Sequence, residues 1–184
     1  CYIIFPLSVG IGVLSRPLVL VLLTEKWIPI APLIFTLCVA YMWYPVMVVN
    51  NQMLNVRGRS DYFLREEVIK KIAAIAILIV TMPFGVKVLC WGLVFYNLLD
   101  MVIGVYYTKK VITTGFGQQI RALLPAFLLT AAMGGVVSLF LLMVTNVYVQ
   151  LVGGVLVGLA TYALLSYLFR VKEIGYLLSY IQKK

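Results

Sequence analysis

The chain has 184 residues, of which 64% are hydrophobic and only 11% charged, with a mean hydropathy of +1.07 and a formal net charge of +9. No soluble domain of this composition has enough polar surface to cover its apolar side chains, so the soluble globular class is excluded and an integral membrane protein is expected. In a soluble protein the positive charge would point to nucleic acid, but here the basic residues fall in alternate loops, and no nucleic-acid partner is expected.

The apolar runs are mostly near twenty residues long, which at roughly 1.5 Å per residue matches a hydrocarbon core of about 30 Å. They lack the alternation of a membrane barrel, so the fold class predicted is an all-α membrane protein. The expected helices are residues 2–24, 30–54, 68–84, 88–107, 122–144 and 148–169, followed by an amphipathic surface helix at 171–184, all within a single membrane domain spanning 1–184. The chain opens at Cys1 inside an apolar run, without a signal peptide, which predicts a fragment preceded by further sequence. Pro29 and Pro32 suit the first turn of the second helix, and Trp27 suits an interface. The longest polar run, NVRGRSDYFLREEVIKK from Asn55 to Lys71, reads as a loop running into the third helix. Lys70 and Lys71 are expected to snorkel to the headgroups, and Glu66 with Glu67 reads as ordinary surface charge.

Charge counting sets the orientation. Arg57, Arg59, Arg65, Lys70, Lys71, Lys109, Lys110, Arg121, Arg170, Lys172, Lys183 and Lys184 fall on one side, against Lys26 and Lys87 on the other, a bias of twelve to two. The positive-inside rule then predicts a multi-pass protein with the polar run and the C-terminus in the cytoplasm.

Ionisable residues inside apolar segments are expensive and mark functional candidates. Arg16, followed by Pro17, is the basic residue within the first apolar segment; it either faces a cavity and holds an anionic group such as phosphate, or makes a structural ion pair. Asp100 shares a helix face with Asn97 and either pairs with Arg16, binds a coupling cation or proton, or sits in a polar seam. Tyr41, Trp43, Tyr44 and Pro45 lie near mid-membrane, as packing groups or as a bent cavity wall. Asn50, Asn51, Gln52 and Asn55 cluster at the expected cytoplasmic mouth, where they meet a polar headgroup or cap the helix. Gly154 and Gly158, with Gly134 and Gly135, read as close packing of the last two helices. Cys1, Cys38 and Cys90 are far apart and read as small hydrophobes rather than a disulfide or metal framework. With no histidine, no metal-ligand cluster, no G-x-S-x-G and no phosphate loop, neither catalysis nor a metal or other cofactor is expected.

The runs FPLSVGIGVLSRPLVLVLLTEKW at Phe5 to Trp27 and NQMLNVRGRSDYFLREEVIKK at Asn51 to Lys71, with the closing LFRVKEIGYLLSYIQKK, resemble the C-terminal half of polysaccharide flippases. These are the Wzx-type lipopolysaccharide and capsule exporters of the MOP superfamily, and the G-R-S-D step at Gly58 to Asp61 is the most specific element of the likeness. The resemblance implies a fourteen-helix bundle of two lobes around a cationic cavity, of which this chain would supply the last six helices. It implies movement of undecaprenyl-pyrophosphate-linked oligosaccharide across the bacterial inner membrane by alternating access. Membrane lipids, polysaccharide assembly proteins and a coupling cation or proton are the implied partners. Arg16 matches by position a basic residue often found before the proline of that segment, which implies a cavity or gating role. The alternatives are a drug or cation exporter of the same superfamily and a membrane-embedded polysaccharide polymerase or acyltransferase; the last predicts a large outer loop or a His or Asp cluster that this chain lacks.

Overall fold

The computed structural model describes residues 1–58, 60–111 and 116–168, and among them there is helix and no strand. The expected surface helix at 171–184 lies outside the described residues.

The first apolar segment is not one helix. It divides into α1 (Ile4–Val13) and α2 (Ser15–Leu22), bent by 65° at Leu14. The cause is Pro17, whose ring has no N–H to give the carbonyl four residues back and collides with it; that carbonyl belongs to Val13, the last residue of α1. The same rule divides the second segment into α3 (Ala31–Tyr41) and α4 (Tyr44–Val56), because Tyr41 stands four residues before Pro45. Pro125 is carried inside α7 (Phe116–Met143) without a break. The carbonyl it frees is on exposed Arg121, near the helix end, where water can satisfy it.

Thr24 links α2 to a short 3-10 turn, Glu25–Ile30, that leads into α3. The remaining helices are α5 (Ser60–Thr81), α6 (Val86–Val111) and α8 (Val147–Leu168). The polar run expected as a loop is therefore wound almost wholly into helix. Gly58, at φ +65°, closes α4 with its N–H donating to the Asn55 carbonyl at 3.0 Å, and α5 begins at Ser60 rather than at Val68. The stretch between the fourth and fifth expected helices is likewise partly helical, since α6 reaches Val111 and α7 starts at Phe116.

Among the described residues, four segments have the length and composition to cross a membrane: Glu25–Val56, Val86–Lys110, Leu123–Met143 and Val147–Leu168. The bent pair α1 and α2 makes a fifth if it is one broken span. The 22 residues of α5 reach about 33 Å, enough to cross, but Arg65, Glu66, Glu67, Lys70 and Lys71 deny it the composition.

In space the helices run α5, α6, α3 with α4, α1 with α2, α7 and α8, each packed on the next. Close approach is set by glycines. A Cβ on Gly154 would lie 2.6 Å from Leu14 Cδ2 at the α1/α2 hinge, and one on Gly153 would lie 2.7 Å from Phe140 on α7. The turn between α7 and α8 is tied by Gln150, whose Nε2 donates to the Leu141 carbonyl at 3.1 Å, and by Asn146 Oδ1, which accepts from the Tyr148 N–H at 3.1 Å.

Burial is inverted relative to a soluble bundle. Leu142 is 83% and Met143 84% exposed, whereas Glu66, Thr108 and Thr130 are buried. Several hydroxyls inside the helices return to their own backbone, as Thr130 does to the Ala126 carbonyl at 2.8 Å and Ser138 to the Gly134 carbonyl at 2.7 Å. Apolar clusters persist around Phe5, Met42 and Ala126, and around Leu14, Met133 and Val137. The protein is an all-α membrane protein, with many large apolar side chains facing outward and a set of polar ones buried among its helices.

Candidate functional site

The polar interior is concentrated where α4, α5 and α6 meet. On α5, Glu66 and Lys70 stand four residues apart and share a face, while Val68, Ile69, Ile72, Ile75 and Ile79 lie on its exposed side together with Arg65 and Lys71. On α6, Asn97, Asp100, Gly104 and Thr108 recur at helical spacing and form one inward stripe. The last turns of α4 bring Asn50 and Asn51 to the same place.

At the centre is the Lys70 ammonium. Its Nζ is ion-paired with Glu66 on its own helix and with Asp100 Oδ1 on α6 at 2.6 Å, and it donates a hydrogen bond to Asn51 Oδ1 on α4 at 3.3 Å. Glu66 is 0%, Lys70 3% and Asp100 15% exposed, so a cation and two carboxylates are withdrawn together. Around them, Thr108 Oγ1 donates to the Asn50 carbonyl at 3.5 Å, and Asn50 Nδ2 donates to the Val46 carbonyl at 2.9 Å. Gly104 leaves the room the triad needs, because a Cβ there would sit 3.2 Å from Glu66 Oε1. Glu66 Oε1 and Asp100 Oδ1 are held by their ion pairs with Lys70, whereas Glu66 Oε2 and Asn97 Nδ2, also buried, have no hydrogen-bond partner. A buried, ion-paired and incompletely satisfied cluster joining three helices can hold those helices in one arrangement and leaves an acceptor that a proton could occupy.

The readings of Glu66 as surface charge and of Lys70 as a snorkelling residue are corrected by their burial. The sequence carried a signal for both: an i, i+4 acid–base pair opposite a continuous isoleucine stripe has its charges inward if the stripe faces lipid.

Of the other candidates, the structure gathers Asn51, Asp100 and, on the Asp100 face, buried Asn97. It does not bring Arg16, Gln52, Tyr41 or Tyr44 to this cluster's contacts. Arg16 is exposed on α2 just after the hinge, beside buried Pro17. Tyr41 and Tyr44 flank the α3/α4 break and are 49% and 57% exposed, and Gln52 is exposed on α4. Asp100 is paired with Lys70 rather than with Arg16. The cysteines are unpaired, with Cys90 buried and Cys1 and Cys38 half-buried.

Comparison with known proteins gives one distant similarity. Over 131 residues, 71% of this chain, the sequence is 22% identical to the teichuronic acid biosynthesis protein TuaB of Bacillus subtilis, and the chain spans 27% of that protein's length. No family model matches the chain. No solved structure matches it.

Proposed function

We propose that this chain is part of a transporter that moves a lipid-linked oligosaccharide across the bacterial cytoplasmic membrane by alternating access. The observation that carries this reading is the similarity to a teichuronic acid biosynthesis protein over 71% of the chain. Biosynthesis of a cell-surface polysaccharide requires that a polar saccharide on a membrane carrier pass the hydrocarbon core, and a helical membrane protein is the class of molecule able to provide that path.

The architecture supports the reading in two ways. Proline-broken segments, α1/α2 and α3/α4, give the bundle points about which half-helices can move, as alternating access demands. The buried Glu66–Lys70–Asp100 network joins α5 to α6, and its hydrogen bond to Asn51 reaches α4, so its making or breaking can report one arrangement to the others. In this reading α5 crosses the membrane with Glu66 and Lys70 shielded by α4 and α6 and with Arg65 and Lys71 toward its cytoplasmic end, which gives six crossings, and the C-terminus lies in the cytoplasm. Arg16, at the hinge of the first segment, offers its planar fork of donors to the pyrophosphate of the carrier lipid. Undecaprenyl pyrophosphate is the carrier this implies in a bacterium.

The test is made in the full-length protein expressed in a strain that lacks its own copy. Arg16→Ala is expected to abolish surface polysaccharide, by at least about tenfold if one charge-assisted contact of roughly 1.5 kcal/mol or more is lost. Normal polysaccharide at normal protein level would remove Arg16 from the substrate path.

A further inference from the structure

We propose that the Glu66–Lys70–Asp100 triad is a single-proton exchange site in which the Lys70 ammonium, as a tethered cation, fills the place that a mobile metal cation would otherwise take. This goes beyond the polysaccharide reading and stands or falls without it.

The first argument is coordination. Three side-chain oxygen donors from three helices converge on Lys70 Nζ: the Glu66 carboxylate from α5, Asp100 Oδ1 at 2.6 Å from α6 and Asn51 Oδ1 at 3.3 Å from α4. An ammonium has three hydrogens to give, and here there are three acceptors to receive them. A sodium ion would need the same oxygens and would have to expel Lys70 from a nearly closed pocket, since that side chain is 3% exposed. The site is therefore closed to metal cations while its lysine remains in it.

The second argument is charge. With all three groups ionised the triad carries two negative charges and one positive. The other basic residues of α5, Arg65 and Lys71, are exposed on its outer surface. Among the described residues, the remaining titratable groups that act on the cluster are Glu67 on α5 and Tyr96 on α6, neither of them cationic, while α4 contributes the non-titrating Asn50 and Asn51. An excess carboxylate charge taken out of water is expensive, and the group takes up a proton instead.

The third argument is the empty acceptor. Glu66 is 0% exposed, and its Oε2 has no hydrogen-bond partner. Lys70 has no hydrogen left for it. Protonation forms an O–H bond on a Glu66 carboxyl oxygen with a proton drawn from bulk water, taking the cluster from one net negative charge to none; release reverses this. Asp100, 15% exposed, is the partly open member through which the proton exchanges. Glu66, fully withdrawn and with one oxygen unpartnered, is the resting place of the proton.

The test is infrared difference spectroscopy of the purified full-length protein in lipid nanodiscs, titrated with acid in sodium and, separately, in choline buffer. A protonated-carboxyl C=O band is expected to appear and disappear with pH at one proton per chain, identically in both buffers. It should be lost in Glu66→Gln, shift its midpoint in Asp100→Asn and be unchanged in Glu67→Gln. In Gly104→Ala, whose added methyl would lie 3.2 Å from Glu66 Oε1, the band should shift in frequency, which keeps the assignment testable if Glu66→Gln does not fold. Absence of the band in the unmodified protein, its survival in Glu66→Gln, its removal by sodium, or an unshifted band in Gly104→Ala would overturn the proposal.

Discussion

Lys70 is the side chain on which the interior depends most, since it is the cation held between two withdrawn carboxylates. Lys70→Ala is expected to cost about 3–5 kcal/mol, the usual penalty for breaking one side of a buried ion pair. Thermal unfolding of the full-length protein in nanodiscs measures it, and the combined Lys70→Met, Glu66→Gln, Asp100→Asn variant should recover most of the loss because no charge is left stranded. A single Lys70→Ala variant as stable as the parent would mean that the carboxylates are solvated. At this scale the sequence was only half legible. Asp100 stood out because nothing charged surrounds it, whereas Glu66 and Lys70 were hidden among Arg65, Glu67 and Lys71, and a polar run looks the same whether one face or all of it meets water. Only the position of α6 decides which of those charges are inside. A second residue-scale expectation concerns backbone strain. Thr24 adopts φ 85°, ψ 168°, and Gly85 adopts nearly the same conformation at φ 89°, ψ 173°, a region close to glycine-only. Thr24→Gly should therefore stabilise by about 1 kcal/mol, and Gly85→Thr should destabilise by a similar amount or more, read from the same unfolding curves.

Helices broken by proline are the distinctive elements. Pro17 and Pro45 each end a helix four residues earlier, at Val13 and Tyr41. In Pro45→Ala the N–H is restored and the clash removed, so α3 and α4 should join through Met42 and Trp43. Spin labels on lipid-facing Phe35 and Val49, in a background freed of the native cysteines, would then sit farther apart, near the roughly 21 Å of axial rise expected for a straight helix between them. An unchanged distance would show that tertiary packing, with Trp43 between Phe5 and Phe127, holds the break without the proline. These elements were partly readable beforehand. The apolar lengths locate the segments, but the same prolines are compatible with a bend or a full break, and Pro125 inside α7 shows how much the depth of the freed carbonyl matters. The start of α5 was misplaced because charge was taken as a helix boundary, whereas the i, i+4 pairing of Glu66 and Lys70 lets the helix run through.

For the whole molecule, the inversion of polarity is the organising fact. Isoleucine and leucine faces outward, with a charged triad, asparagines and threonines inward, form an arrangement that is stable in lipid and unstable in water. Composition alone made the membrane class legible, because no pattern of burial could hide so much apolar surface. The proposed substrate is less legible, since the chain spans 27% of the length of the relative it resembles and a path through a membrane is made by all of its walls. The central claim is transport of a lipid-linked oligosaccharide. It is tested most directly with the full-length protein reconstituted into vesicles carrying a labelled polyprenyl-pyrophosphate oligosaccharide on the outer leaflet. The measurement is the fraction that becomes protected from a membrane-impermeant glycosidase over time. Protection that rises faster than in protein-free vesicles, and that is lost in Arg16→Ala, is the predicted result; protection at the protein-free rate, with the protein folded and inserted, would contradict the account.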